Sequence, residues 1–209
     1  MLVKTYCAAV NGLDVTTVTI EVSLTKGVMF RMTGLGDTAV REGRDRMAAA
    51  LVNNGYLFPN ADITVNMAPA DLRKEGSGFD LPLAIGVLAA SKQIEPVGLD
   101  RIMLVGELGL DGSLQPVKGA LPIAMRAKAD GFVALVVPQQ NVREAAVVEG
   151  IRVYGMSQMK EVISMITGQE RFQPVSVDTR KEFYDQQYST ELDYADVRGQ
   201  QQVKRALEV

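Results

Sequence analysis

An abrupt change of character inside Ala68–Ser91, APADLRKEGSGFDLPLAIGVLAAS, constrains this chain more than any other feature. Ala68–Gly78 is polar and Gly-containing, with Arg73, Lys74 and Glu75 in a row, whereas Leu81–Ala90 is almost wholly apolar. A helix that is apolar all round has to be buried. It is also far too short to cross a bilayer, which takes roughly 20 residues. Asp80 is placed to cap that helix with its carboxylate, and Pro82 falls in the first turn, where its missing N–H costs little. Small residues at Ala84, Gly86, Ala89 and Ala90 allow close packing. The chain is thus expected to fold around a buried helix entered through a charged loop. Such a junction can hold a nucleophile or an anion, or be a plain connection.

The flanking pattern supplies the partners of that helix. Leu2–Val10 and Val15–Leu24 read as strands, the second by alternation of Val18, Ile20, Val22 and Leu24. Lys26-Gly27 is expected to turn the chain into a returning hairpin strand, Val28–Met32. Asp37 is expected to cap a helix running to about Asn53, with Val40, Met47, Ala48 and Leu51 as its apolar stripe and Asn54-Gly55 as its end. Ile63–Met67 and Ile102–Glu107 read as strands, and Asp111-Gly112 as the turn of a hairpin between Gly106–Leu110 and Ser113–Val117. Helices follow at Leu121–Ala129 and Arg143–Val148, strands at Phe132–Val137 and Ile151–Tyr154, and an amphipathic helix at Met159–Ile166. Alternating helices and strands interrupted by hairpins predict an α+β (mixed α/β) domain over residues 1–168. Residues 169–194 are polar and without period, and read as a linker or extended arm. Residues 195–209 turn helical again and stop in mid-pattern, which reads as a truncation.

Composition removes whole classes of chemistry. The 209-residue chain has no His and one cysteine, which excludes Ser-His-Asp and Cys-His sites, His-ligated metals and a disulfide framework. Cys7 lies in an apolar strand and is expected to be a buried, inert thiol. A net charge of −3 gives no global case for nucleic acid. With no signal-like apolar run at the N-terminus, a cytoplasmic location without membrane association is the expectation. Thr33–Gly36, TGLG, opens a helix after a strand but lacks G-x-G-x-x-G, and the chain has no Gly-Lys dipeptide and hence no Walker A loop. Ser77 between two glycines, with Lys74 or Lys118 as base, is the remaining nucleophile candidate. The carboxylates Asp71, Glu75, Asp80, Glu107 and Asp111 have no diagnostic metal spacing, and Glu107 can bond loop backbone. Arg41, Arg44 and Arg46, or Arg73 and Lys74, can meet phosphates or form solvated faces.

Three blocks carry a resemblance: GLGDTAVREGRDRMAAAL (Gly34–Leu51), ITVNMAPADLRKEGSGFDLPLAIGVLAAS (Ile63–Ser91) and LVGELGLDGSLQPVKGALPIAM (Leu104–Met125), continued by VVPQQNVREAAVV (Val136–Val148). Together they resemble the N-terminal domain of the bacterial Mg-chelatase-like AAA+ ATPases of the ComM/YifB type. That domain in turn resembles the Lon protease domain, of the ribosomal-protein-S5-domain-2-like fold, a mixed sheet with helices on one side. The tail DYADVRGQQQVKRALEV (Asp193–Val209) resembles the entry into the AAA+ module, with the Walker A loop expected shortly after Val209.

The resemblance implies a hexameric ATPase acting on DNA, in branch migration during recombination or natural transformation, with ATP and Mg2+ bound by the AAA+ module and no cofactor in residues 1–209. Lon's nucleophile motif G-P-S-A-G lies on Gly76-Ser77-Gly78-Phe79-Asp80, so the nucleophile position falls on Gly78. Its G-E-x-x-L-x-G-x-x-x-P segment matches Gly106-Glu107 through Pro116, Gly112 included, and the lysine position falls on Leu121. Ser77 and Lys118 are out of register, and the expected reading is a domain without the dyad. Its expected interaction surface, for partner subunits or DNA, is Arg41, Arg44, Arg73, Lys74 and Glu75. A Ser–Lys peptidase and an RNA-binding module of the same fold are the alternatives.

Overall fold

The computed structural model describes residues 2–12, 14–34, 36–177 and 197–207, so most of the expected linker lies outside the described residues. The chain forms two units, Met1–Ser176 and Val177–Val209. In the second, the described helix is Gln201–Leu207. The first holds a seven-stranded mixed sheet and a two-stranded hairpin.

The sheet has an antiparallel half and a parallel half. β1 (Leu2–Asn11) and β2 (Asp14–Thr25) are antiparallel neighbours in a register that sets Cys7 opposite Val18 and Thr5 opposite Ile20. β3 (Phe30–Thr33) leads into helix α1 (Thr38–Asn53), and the chain returns as β4 (Asp62–Ala68). Here the expected hairpin fails. β3 pairs in parallel with β4, and β4 lies between β3 and β2. The side chain of Asp62 explains the detour. Its Oδ1 accepts from Met29 N at 2.8 Å, while the backbone of Ile63 donates to Met29 O at 2.7 Å. Lys26-Gly27 therefore delivers the chain onto β4. Gly34 is demanded there, because a Cβ would lie 2.1 Å from Met67 O, so the TGLG segment is a close-packed turn.

Helix α2 (Asp80–Ala90) is buried along its whole length. It lies on the face of the sheet carrying Thr5, whose hydroxyl donates to Pro82 O at 3.0 Å. Gly86 gives Val22 its place, since a Cβ would come within 2.8 Å of that side chain. The opposite face of the antiparallel half is polar. Glu21 takes Lys4 and Asn66, each at 3.0 Å, and Thr33 donates to Asn66 at 3.0 Å. Alternating burial is what a sheet with one wet face requires.

The parallel half comprises β5 (Ile102–Leu104), β8 (Ala134–Pro138) and β9 (Arg152–Met156), β5 being parallel to β1. Between β5 and β8 come the hairpin β6 (Glu107–Leu108) and β7 (Leu114–Gln115) and helix α3 (Ala120–Ala129). The Asp111-Gly112 turn thus stands as expected, while the single strand expected over Ile102–Glu107 divides where Gly106 leaves the sheet. Every residue of β8 is buried, so both its faces are covered. Tyr6 and Thr17 point away from α2, yet Phe132 and Asp130, just after α3, meet them; cover is therefore not confined to one side. α4 (Val142–Ala145) and α5 (Met159–Ile166) complete the unit, and α5 buries Met159, Val162, Ile163 and Ile166 as its period predicts. In α1 the buried stripe is Val40, Gly43, Met47, Ala50 and Leu51, with Ala50 and not Ala48 on the inner face.

Candidate functional site: the cleft at the start of α2

Three segments meet where the charged loop enters α2. Asp37 fixes the first. Its Oδ1 accepts from Val40 N at 2.9 Å, capping α1 as expected, and its Oδ2 accepts from Gly76 N at 3.3 Å. Asp37 N also donates to Lys74 O at 3.0 Å. One residue thus ties the loop to a helix. Gly76 has φ +85°, a conformation that side chains disfavour.

Lys74 departs from expectation. It is 0% exposed, and its Nζ donates to Pro69 O. Burial lowers its pKa, with Asp71 opposing. It therefore fastens the loop from inside and is no part of an interaction surface. Arg73 and Glu75 remain exposed and pair with each other at 3.1 Å.

Asp80 also departs. The helix N-cap is Phe79, with no side-chain cap bond. The Asp80 carboxylate is 0% exposed and accepts from Arg46 Nε at 2.7 Å, Arg46 Nη2 at 3.1 Å and Leu108 N at 3.3 Å. A capping aspartate faces backbone at its own helix end; this one is turned sideways to bind α1 and β6. Burial raises the Asp80 pKa, outweighing the pull of Arg46, and the hydrogen bond to Asp80 raises that of Arg46. Gly43 makes the approach possible, because a Cβ there would lie 2.3 Å from Asp80 Oδ1. Arg46 is thus committed to the interior and withdrawn from any phosphate-contacting face.

Between these anchors opens a cavity of about 570 Å³, lined by Ser77, Gly78, Glu107, Lys118, Asp37 and Glu75 over an apolar floor. The fold brings Ser77 and Lys118 to one cleft although they are far apart in sequence. The Ser77 hydroxyl donates to Glu107 Oε2, so Glu107 bonds a side chain and not the expected backbone. Gly78 holds the loop against Gly106, accepting from its N at 2.9 Å, while Leu81 N donates to Gly106 O at 3.0 Å. A side chain at Gly78 would meet only ordinary contacts, Val105 at 3.5 Å and Val117 at 3.6 Å. Leu121 does not line this cleft; its backbone N donates to Glu144 at 3.0 Å. Cys7 sits beneath, its Sγ 3.6 Å from Gly78 O, and burial pushes its pKa up to about 12. Among the described residues no group of His, Cys, Asp and Glu is arranged to hold a metal.

Of the other arginines expected at the surface, Arg44 has partners. Arg44 pairs with Asp45 at 2.9 Å and lies over the rings of Phe30 and Phe58, 5.5 and 5.8 Å from their centroids. Arg41 and Arg73 line a shallow cavity with Asp37.

A buried helix entered through a Gly-Ser-Gly loop, on a mixed sheet with a crossing hairpin, defines an α+β domain of the Lon-like, S5-domain-2-like class. The chain belongs to the Mg-chelatase subunit ChlI family, whose model matches residues 20–141, more than half its length. It is 38% identical to the competence protein ComM of Haemophilus influenzae over 98% of this chain, and 38% identical to YifB of Escherichia coli over 96%. An uncharacterized protein of Mycobacterium tuberculosis is 39% identical over 99%. The chain spans only about 40% of the length of these relatives. Among the described residues no helix is long and apolar enough to cross a membrane.

Proposed function

We propose that residues 1–168 form a non-catalytic, Lon-like accessory domain of a ComM/YifB-type Mg-chelatase-like AAA+ ATPase. The observation that carries this reading is the Ser77–Glu107 bond. A Ser–Lys nucleophile needs its hydroxyl within reach of the lysine amine; here the Ser77 hydroxyl is held by the Glu107 carboxylate and not by Lys118, with Gly78 and Leu121 at the positions that match the Lon dyad. Residues 169–194 are the linker and residues 195–209 the start of the ATPase module. The whole protein is a cytoplasmic, hexameric motor that uses ATP and Mg2+ to move DNA branches in recombination or natural transformation. Support for the DNA role comes from similarity to a competence protein. Two assays test it. The chain is expected to leave a casein-type substrate intact, and hydrolysis abolished by Ser77→Ala would overturn the non-catalytic reading. The full-length protein is expected to resolve a labelled four-way junction only with ATP and Mg2+; an inert full-length ATPase would sink the motor.

A second reading, a Ser–Lys hydrolase, draws on the shared cleft of Ser77 and Lys118. The casein assay decides against it if the wild-type chain is inactive.

A further inference from the structure

The N-terminal ends of the parallel strands β5, β8 and β9 open onto two adjoining cavities, of about 620 and 270 Å³. They share Val133 and Arg152. Lys128 lines the first and Arg101 the second. All three cations are exposed, and none has an acidic partner among the described residues, unlike Arg31, Arg44, Arg46 and Arg73, each of which holds one. No carboxylate lines either cavity, whereas the cleft at α2 carries three. The nearby Asp130 is occupied by Arg126 at 2.8 Å and by Thr17.

Each cavity also has an aromatic wall, Phe132 in the first and Tyr154 in the second. Phe132 is fixed by Tyr6, with ring centroids 5.3 Å apart. Gly150 lets Lys128 lie across the strand ends, because a Cβ there would meet Lys128 Cε at 3.3 Å. Arg152 Nε donates to Val133 O at 3.4 Å, so among the described residues no carboxylate neutralises any of the three; cations beside aromatic faces suit a strand that presents phosphates and unstacked bases. Acidic peptides lack the bases, and an anionic bilayer is flat.

We propose that this strand-end surface binds single-stranded nucleic acid, its phosphates met by Arg101, Lys128 and Arg152 and its bases by Phe132 and Tyr154. The inference rests on the DNA-motor reading above and adds the site of contact.

Fluorescence anisotropy of short labelled single strands, DNA and RNA in separate arms, tests it across a salt series. Lys128→Gln with Arg152→Gln removes two charges. It is expected to weaken binding about tenfold and to flatten the log–log salt dependence by about 1.4. Phe132→Leu is expected to weaken binding without changing that slope. Arg41→Gln with Arg44→Gln, the same loss of charge elsewhere, is expected to change neither. Melting curves by circular dichroism confirm that each variant folds. Tighter binding in either arm supports the surface and names the sugar. Binding lost only in the Arg41/Arg44 variant overturns the placement and leaves the motor reading intact. A wild-type chain that binds phosphatidylglycerol vesicles but no strand also overturns the inference, while the junction assay judges the motor separately.

Discussion

Removing Arg46 while leaving Asp80 in place strands a carboxylate that has no exposure to water. In Arg46→Met, two of its three hydrogen bonds vanish and only Leu108 N remains. Breaking one side of a buried pair costs about 3–5 kcal/mol. For a unit of this size that is a fall in melting temperature of roughly 6–20 °C. Arg46 keeps 22% side-chain exposure, so the reverse deletion leaves a cation that can turn to water. The two perturbations are therefore unequal. The penalty is also pH-dependent. Asp80 already binds its proton more tightly than an ordinary aspartate, and without Arg46 its pKa rises further. Below that pKa the neutral acid is far cheaper to bury, so the gap between Arg46→Met and wild type shrinks as pH falls. Adding Asp80→Leu is expected to return most of the loss. With no Trp in the chain, far-UV circular dichroism in urea at several pH values is the assay. A loss under about 1 kcal/mol, or one that stays constant with pH, would refute the argument.

Three further outcomes follow from the same structure. Cys7, buried and with its pKa pushed up to about 12, should not react with a thiol reagent until urea unfolds the domain; fast labelling of the native chain would contradict its burial. Under mild acetylation, peptide mass spectrometry should find Lys128 modified and Lys74 spared, since Lys74 is enclosed and Lys128 exposed. Glu21, held below the usual glutamate range by Asn66 and then Lys4, should titrate low by carboxyl NMR. Its depressed pKa supports the fold above the ordinary carboxylate range and that support fades as pH falls through the native value; Asn66→Ala should move the titration back up.

Periodic segments are legible in the sequence. The alternation in β2 and the α5 stripe are periods carried by the residues themselves, and the Asp37 cap is a bond to Val40, three residues on. What was illegible depends on partners far along the chain. Lys26-Gly27 has the chemistry of a hairpin, but Asp62 draws the following strand to β4. Asp80 has the chemistry of a cap, but Arg46 claims it. Lys74 sits in a charged triplet; the Pro69 carbonyl that takes it is near in sequence, but the loop that encloses it is tied down by Asp37, far back along the chain. The cleft was half visible: the Gly-Ser-Gly loop could be named, whereas its bond to Glu107 needs the crossing hairpin. Arg101, Lys128 and Arg152 never form a cluster in sequence; the starts of β5 and β9 and the end of α3 gather them.

The insertion of β4 between β2 and β3 has a consequence for synthesis on the ribosome. β1 and β2 are adjacent and can pair as soon as both emerge. The far edge of β2 then stays open until Asp62–Ala68 has been made, and β3 and α1 must wait with it. Non-local pairing of this kind slows folding and leaves an unpaired edge for a time. The polar outer row of β2, with Thr17, Thr19 and Glu21, faces the solvent throughout that interval. It gives the nascent β1–β2 pair a soluble side before β4 arrives.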